Sequence, residues 1–212
     1  MSTKKLPKKT AKKTAPELKP TLKVELAVQA FASPAAFERW LKAHHGKSPG
    51  LWLRLMKKAS GEKSVTYQEA LDVALSWGWI DGQIKTYDEK SWIRKFVPRG
   101  ARSIWSKINR DKALALIDAG RMQPSGLEQV ERAQADGRWQ AAYDSAKSAK
   151  PPPDFAAALE KSPRAAEFFK TLNAANRYAV LFRVQAPKKA ETRERKIREL
   201  VSMLERGEKI HA

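Results

Sequence analysis

Apolar and polar positions alternate, then switch to helical spacing, twice within the first hundred residues. Val24, Leu26, Val28 and Ala30 alternate against Glu25 and Gln29, a period of two that predicts a strand. Ser33-Pro34 follows as a helix N-cap with proline at the first helical position. Phe37, Trp40, Leu41 and His44 then recur at helical spacing, and Gly46 is expected to end that helix in a left-handed conformation. In the second strand, Leu51, Leu53 and Leu55 share one face, with Trp52, Arg54 and Met56 on the other. Thr66-Tyr-Gln-Glu69 is a capping box, and the helix it opens turns Ala70, Leu71, Ala74, Leu75 and Trp77 toward a core. Asp81-Gly82 carries the signature of a hairpin turn, and residues 83–87 and 92–97 read as further strands. The order β-α-β-α-β-β predicts a small mixed or antiparallel sheet with helices on one face.

After residue 105 the period is helical throughout. Residues 106–118 present Ile108, Leu114, Leu116 and Ile117, with Gly120 just past the end. Ser125 and Glu128 have the spacing of a second capping box, opening a helix that stops near Gly137. Residues 145–153 end in three prolines and read as a linker. Helices are predicted over 154–160, over 163–186 with a break near Asn173, and over 190–206. The last carries Ile197, Leu200, Val201 and Leu204 on one face and Arg193, Arg195, Lys196 and Arg198 on the other. The fold class is therefore α+β, followed by an all-helical extension. The organisation read from the chain is a Lys-rich tail over 1–21, an α+β domain over 22–144, a linker over 145–153 and a helical domain over 154–212. The helical domain is short for a core of its own and is expected to pack on the first.

Composition narrows the class. The 212 residues include seven tryptophans, enough apolar material for a proper core, and no apolar run of bilayer length. Cysteine is absent, which excludes disulfides and thiolate chemistry. The initial lysines are not followed by an apolar stretch, so the expected location is the cytoplasm. The net charge of +19 is unevenly spread. Residues 1–20 hold seven lysines against one glutamate (+6), residues 83–112 nine basic against three acidic (+6), and residues 161–212 thirteen against six (+7). Such blocks attract polyanions without choosing among them.

Several separated segments together resemble the YdeI/OmpD-associated, or bacteriocin-protection, family. They are Phe31-Ala-Ser-Pro-Ala-Ala-Phe37 with Trp40-Leu41, Thr66-Tyr67-x-Glu69-Ala70-Leu71, and Trp77-Gly-Trp-Ile-Asp-Gly-Gln83. Ser103-Ile-Trp-Ser-Lys-Ile-Asn109, Arg177-Tyr-x-x-Leu181 and Glu191-Thr-Arg193 with Arg195-Lys-Ile197 complete the set, which spans about residues 25–210. The resemblance implies a part in envelope stress and protection against antimicrobial peptides. It brings no catalytic residues with it.

The candidate chemistry lies between residues 77 and 107. Trp77, Trp79, Trp92 and Trp105 can line a pocket that stacks a flat or apolar ligand, or they can be large core residues. Asp81 can act as an acid or base or hold a basic group, or it can serve a turn. Arg99, Arg102 and Lys107 can clamp a phosphate or carboxylate, or form a solvated rim, and Gln83 completes the candidate cleft. No glycine-rich phosphate loop and no ligand cluster is present in the sequence, so no cofactor and no metal is expected. The leading expectation is a non-catalytic stress-protection protein that binds an unidentified protein or small anionic ligand at an aromatic and basic cleft. The first alternative is non-specific nucleic-acid binding by Lys4, Lys5, Lys8, Lys9, Lys12 and Lys13 of the tail with Arg193, Arg195, Lys196 and Arg198. The second is an enzyme with an unfamiliar site around Asp81.

Overall fold

The computed structural model describes residues 25–187 and 189–212; the tail lysines and Val24 lie outside them. Four strands, β1 (Val28–Ala30), β2 (Leu51–Met56), β3 (Trp79–Thr86) and β4 (Ser91–Pro98), form one mixed sheet in the order β1-β2-β4-β3. β1 runs parallel to β2, while β2 with β4 and β4 with β3 are antiparallel. Among the described residues there are eight α-helices: α1 (Pro34–His44), α2 (Tyr67–Ser76), α3 (Lys107–Asp118), α4 (Pro124–Ala135), α5 (Pro153–Glu160), α6 (Pro163–Thr171), α7 (Ala174–Gln185) and α8 (Ala190–Glu205). The molecule is thus α+β, with the sheet in the first half and only helices beyond it.

The leucine alternation of β2 is realised: Leu51, Leu53 and Leu55 are buried against Phe37 and Leu41 of α1 and Ala70, Val73 and Ala74 of α2. α2 is buried on both sides. Its Leu71 and Leu75 face a second cluster, with Trp105, Ala113, Leu116, Val130 and Trp139. That explains why a ten-residue helix buries six of its residues. The Thr66 capping box is present in both directions. The helical half has a core of its own, in which Phe155, Phe169, Val180, Leu181, Leu200 and Leu204 meet.

Four local expectations are corrected. Gly46 is not left-handed; α1 ends at His45, whose backbone stays right-handed and donates to the Leu41 carbonyl. Asp81-Gly82 is no turn but lies inside β3, where the register slips by one residue between Asp81 and Ile84. A β-bulge uses the same small and polar residue types as a hairpin turn, which is why the two share a signature. Ser125 does not cap α4: Gln123 occupies the cap, and the Ser125 hydroxyl donates to the Trp77 carbonyl at 3.0 Å. Finally, the apolar alternation of the first strand marks no inward face, since Val28 and Ala30 are exposed on a sheet edge.

Candidate functional site

The candidate residues fall in separate places. Trp79 belongs to the sheet core, 1% exposed, and its indole N–H donates to the His45 carbonyl at 3.2 Å. Trp77 caps α2 beside the His45 ring, with centroids 4.7 Å apart. Both rings fill the interior beneath α1. Gln83 lies within the bulge and is exposed.

Asp81 is directed to the helix face of the sheet, because the register sets it opposite Phe96. There one oxygen, Oδ2, accepts from Tyr67 Oη at 2.8 Å, from Arg94 Nε at 3.0 Å and from Arg94 Nη2. Arg94 in turn lies over the Tyr67 ring. Burial, and then the neighbouring Asp81 charge, push the Tyr67 phenol up to about 12. The three side chains form a closed unit, with the carboxylate satisfied by a cation and a phenol.

The loop after β4 carries the other candidates. Arg99 is 6% exposed, with its guanidinium carbon 3.5 Å from the centre of the Trp105 ring. Burial pulls its pKa down to about 10. Trp105 packs edge-on against Trp139 in the second core cluster. Lys107 opens α3 and pairs with Asp144 at 2.7 Å. Arg102 is exposed on a shallow hollow shared with Ile104 and Arg138.

These residues meet a junction that the sequence did not disclose. Tyr143 is tied by backbone bonds in both directions: its N–H donates to the Trp105 carbonyl at 3.0 Å, and its carbonyl accepts from Lys107 at 2.9 Å. Its ring meets Phe182 of α7 edge-on, with centroids 5.3 Å apart. Next to it, the Asp144 carboxylate also accepts from Gln185 at 3.3 Å, and the Asp144 carbonyl accepts from Tyr178 Oη at 3.1 Å. A hollow of about 450 Å³ opens here, lined by Ile104, Arg138, Ala141, Tyr143, Phe182 and Pro187 among others. A second, of about 340 Å³, shares Tyr143 and includes Tyr67, Asp81, Asn109 and Lys112. Each carboxylate nearby has a cation: Asp81 has Arg94, Asp136 has Arg138, Asp144 has Lys107 and Asp72 has Lys112. The arrangement can hold an apolar or aromatic group beside guanidinium donors, and its carboxylates are engaged as acceptors.

Sequence reasoning missed Tyr143, Arg138 and Phe182. Tyr143 stands in an irregular stretch with no period to mark it. Arg138 follows Gly137, where a helix stop was read but no ligand. Tyr67 was visible as the residue after a cap and as part of a motif of the resemblance, not as a partner of Asp81.

The basic face of α8 is largely committed within the helical half. Arg193 pairs with both oxygens of Asp154 and donates to the Val184 carbonyl at 2.6 Å, joining α5, α7 and α8. Lys196 and Arg195 both reach Glu199, and Arg198 lies 4.0 Å from Glu194. No helix among the described residues is long and apolar enough to cross a membrane.

Two family models match separate parts of the chain. Residues 29–129, which hold nearly all of the sheet, α3 and the first half of α4, match a domain of unknown function (DUF8412). Residues 148–207, within the C-terminal helices, match the family described as Bacteriocin-protection, YdeI or OmpD-Associated. The segments from Arg177 and from Glu191 fall inside the second match, whereas those from Phe31, Thr66, Trp77 and Ser103 fall inside the first. No curated protein and no solved structure matches.

Proposed function

We propose that this is a non-catalytic protection protein that holds a partner of apolar or aromatic character at the junction between its two halves. The observation that carries the reading is the 450 Å³ hollow bounded by Ile104, Arg138 and Tyr143 on one side and Phe182 and Pro187 on the other. One wall comes from the half that matches the bacteriocin-protection family. The hollow combines aromatic edges and an exposed aliphatic side chain with a few polar groups, the usual constitution of a small-molecule or side-chain site. The pairing of each nearby carboxylate with a cation supports binding over acid–base chemistry, which needs a group free to exchange its proton. Along α8, Arg193 and Lys196 are paired at close range, while Arg195 and Arg198 stay exposed.

The experiment is a comparison of Ile104→Glu with the wild-type protein in cells challenged with an antimicrobial peptide. Ile104 is 55% exposed, so the substitution should shift stability by no more than about 0.5 kcal/mol. Survival should nevertheless fall to that of cells lacking the protein. Full protection by Ile104→Glu would remove the hollow from the function.

A further inference from the structure

Arg99 is a buried cation with no counter-ion bonded to it. Among the described residues, the one hydrogen bond of its guanidinium runs from Nη1 to the Ile104 carbonyl and is long, 3.3 Å. Nε and Nη2 are buried and have no acceptor, and neither has the indole N–H of Trp105, the ring on which the guanidinium lies. Asp81, the carboxylate whose charge acts on it, is already taken by Arg94 and Tyr67. Arg138 adds repulsion, since it donates to the adjacent Ser103 carbonyl at 2.7 Å. Three orphan donors and no acceptor in one place are unusual for a folded interior, where buried polar groups find partners. An unpaired buried charge is also among the costliest arrangements a core can retain.

We infer that Arg99 and Trp105 form the receiving end for an oxyanion, and that the ligand of the junction hollow is an aromatic or apolar body bearing a carboxylate or phosphate. This rests on the reading that the hollow is the binding site. The Ile104 peptide is the link, because its carbonyl occupies the guanidinium while its residue lines the hollow. A ligand oxyanion replaces that long bond, engages the planar fork of Arg99 in paired N–H donations, and accepts from the Trp105 indole. The ligand body lies in the hollow, against the Tyr143–Phe182 pair. The charge left unsatisfied in the free protein is thereby matched on binding, which makes the anion the determinant of affinity.

The test titrates the full chain by calorimetry with phenyl phosphate, phenylacetate and uncharged benzyl alcohol, in the wild type and in Arg99→Met. The expected result is that at least one anion binds tenfold or more tightly than benzyl alcohol, the tighter one naming phosphate or carboxylate as the natural group. Arg99→Met should abolish that preference, leave benzyl alcohol within twofold, and not lower the melting temperature. Should the variant fail to fold, the wild-type proton–nitrogen spectrum decides. The Arg99 Nε–H and Trp105 indole resonances must move on adding the anion and stay in place with benzyl alcohol. Equal affinity for all three ligands, unmoved resonances, or a preference that survives Arg99→Met overturns the oxyanion assignment while leaving the hollow as the site. Failure of all three to bind overturns the reading of the hollow, and the inference with it.

Discussion

At the scale of single residues, the same side chain can be read as chemistry or as support until its neighbours are known. Asp81 shows this. Its neighbours in sequence are a tryptophan-rich segment and a glycine, yet its partners are Tyr67, fourteen positions earlier, and Arg94, thirteen later. The Tyr67 phenol has a measurable consequence. An unfolded tyrosine releases its proton near pH 10, whereas folded Tyr67 holds it to about 12, so between those values the unfolded chain sheds a proton that the folded chain keeps. Stability contributed by Tyr67 is therefore complete below pH 10 and lost as pH rises through 12. In Tyr67→Phe, the fall in melting temperature between pH 9.5 and 11.5 should be smaller than in the wild type, which a pair of thermal scans will decide. Arg99 is the contrasting case: it was legible as a cation, but its burial over Trp105 was not, since nothing local distinguishes it from the exposed Arg102.

At the scale of elements, local rules served wherever the local environment was also the deciding one. The β2 alternation, the Thr66 capping box and the Asn173 break between α6 and α7 depend on residues within a few positions, and all three occur as read. Ser125 failed as a cap because α4 begins against the end of α2. Gly78, with φ +75°, and Gly126 mark that approach. A Cβ on Gly78 would lie 2.6 Å from the Ser125 carbonyl oxygen, and one on Gly126 would strike the Ser76 carbonyl and stand 2.5 Å from Met122 Sδ. Helix propensity favours alanine over glycine inside α4 by about 1 kcal/mol. Overpacking against the α2 backbone should outweigh that, so Gly126→Ala should destabilise the protein by about 1–3 kcal/mol in urea unfolding. A gain in stability would mean that α4 can draw back freely from α2.

At the scale of the whole molecule, the two halves are separate in core and joined by a small set of polar and aromatic contacts around Tyr143 and Asp144. Asp144 accepts from Lys107 on one side and from Tyr178 and Gln185 on the other, so its carboxylate and carbonyl bridge the junction. Asp144→Ala should leave both cores protected in hydrogen exchange while speeding exchange at 105–107 and 178–185. Uniform loss of protection would show that the halves fold as one unit. What the sequence alone determined is the repertoire: most of the strands and helices, and separated motifs over about residues 25–210 that resemble the bacteriocin-protection family. The strands and helices follow from periodicity and capping, which act over three or four residues, whereas the resemblance rests on the separated motifs. Tertiary structure alone decided that the tryptophans fill cores, that Asp81-Gly82 is a bulge, and that Ile104, Tyr143 and Phe182 enclose a hollow beside an unpaired guanidinium. Burial and pairing arise between segments far apart in the chain, and no local period encodes them.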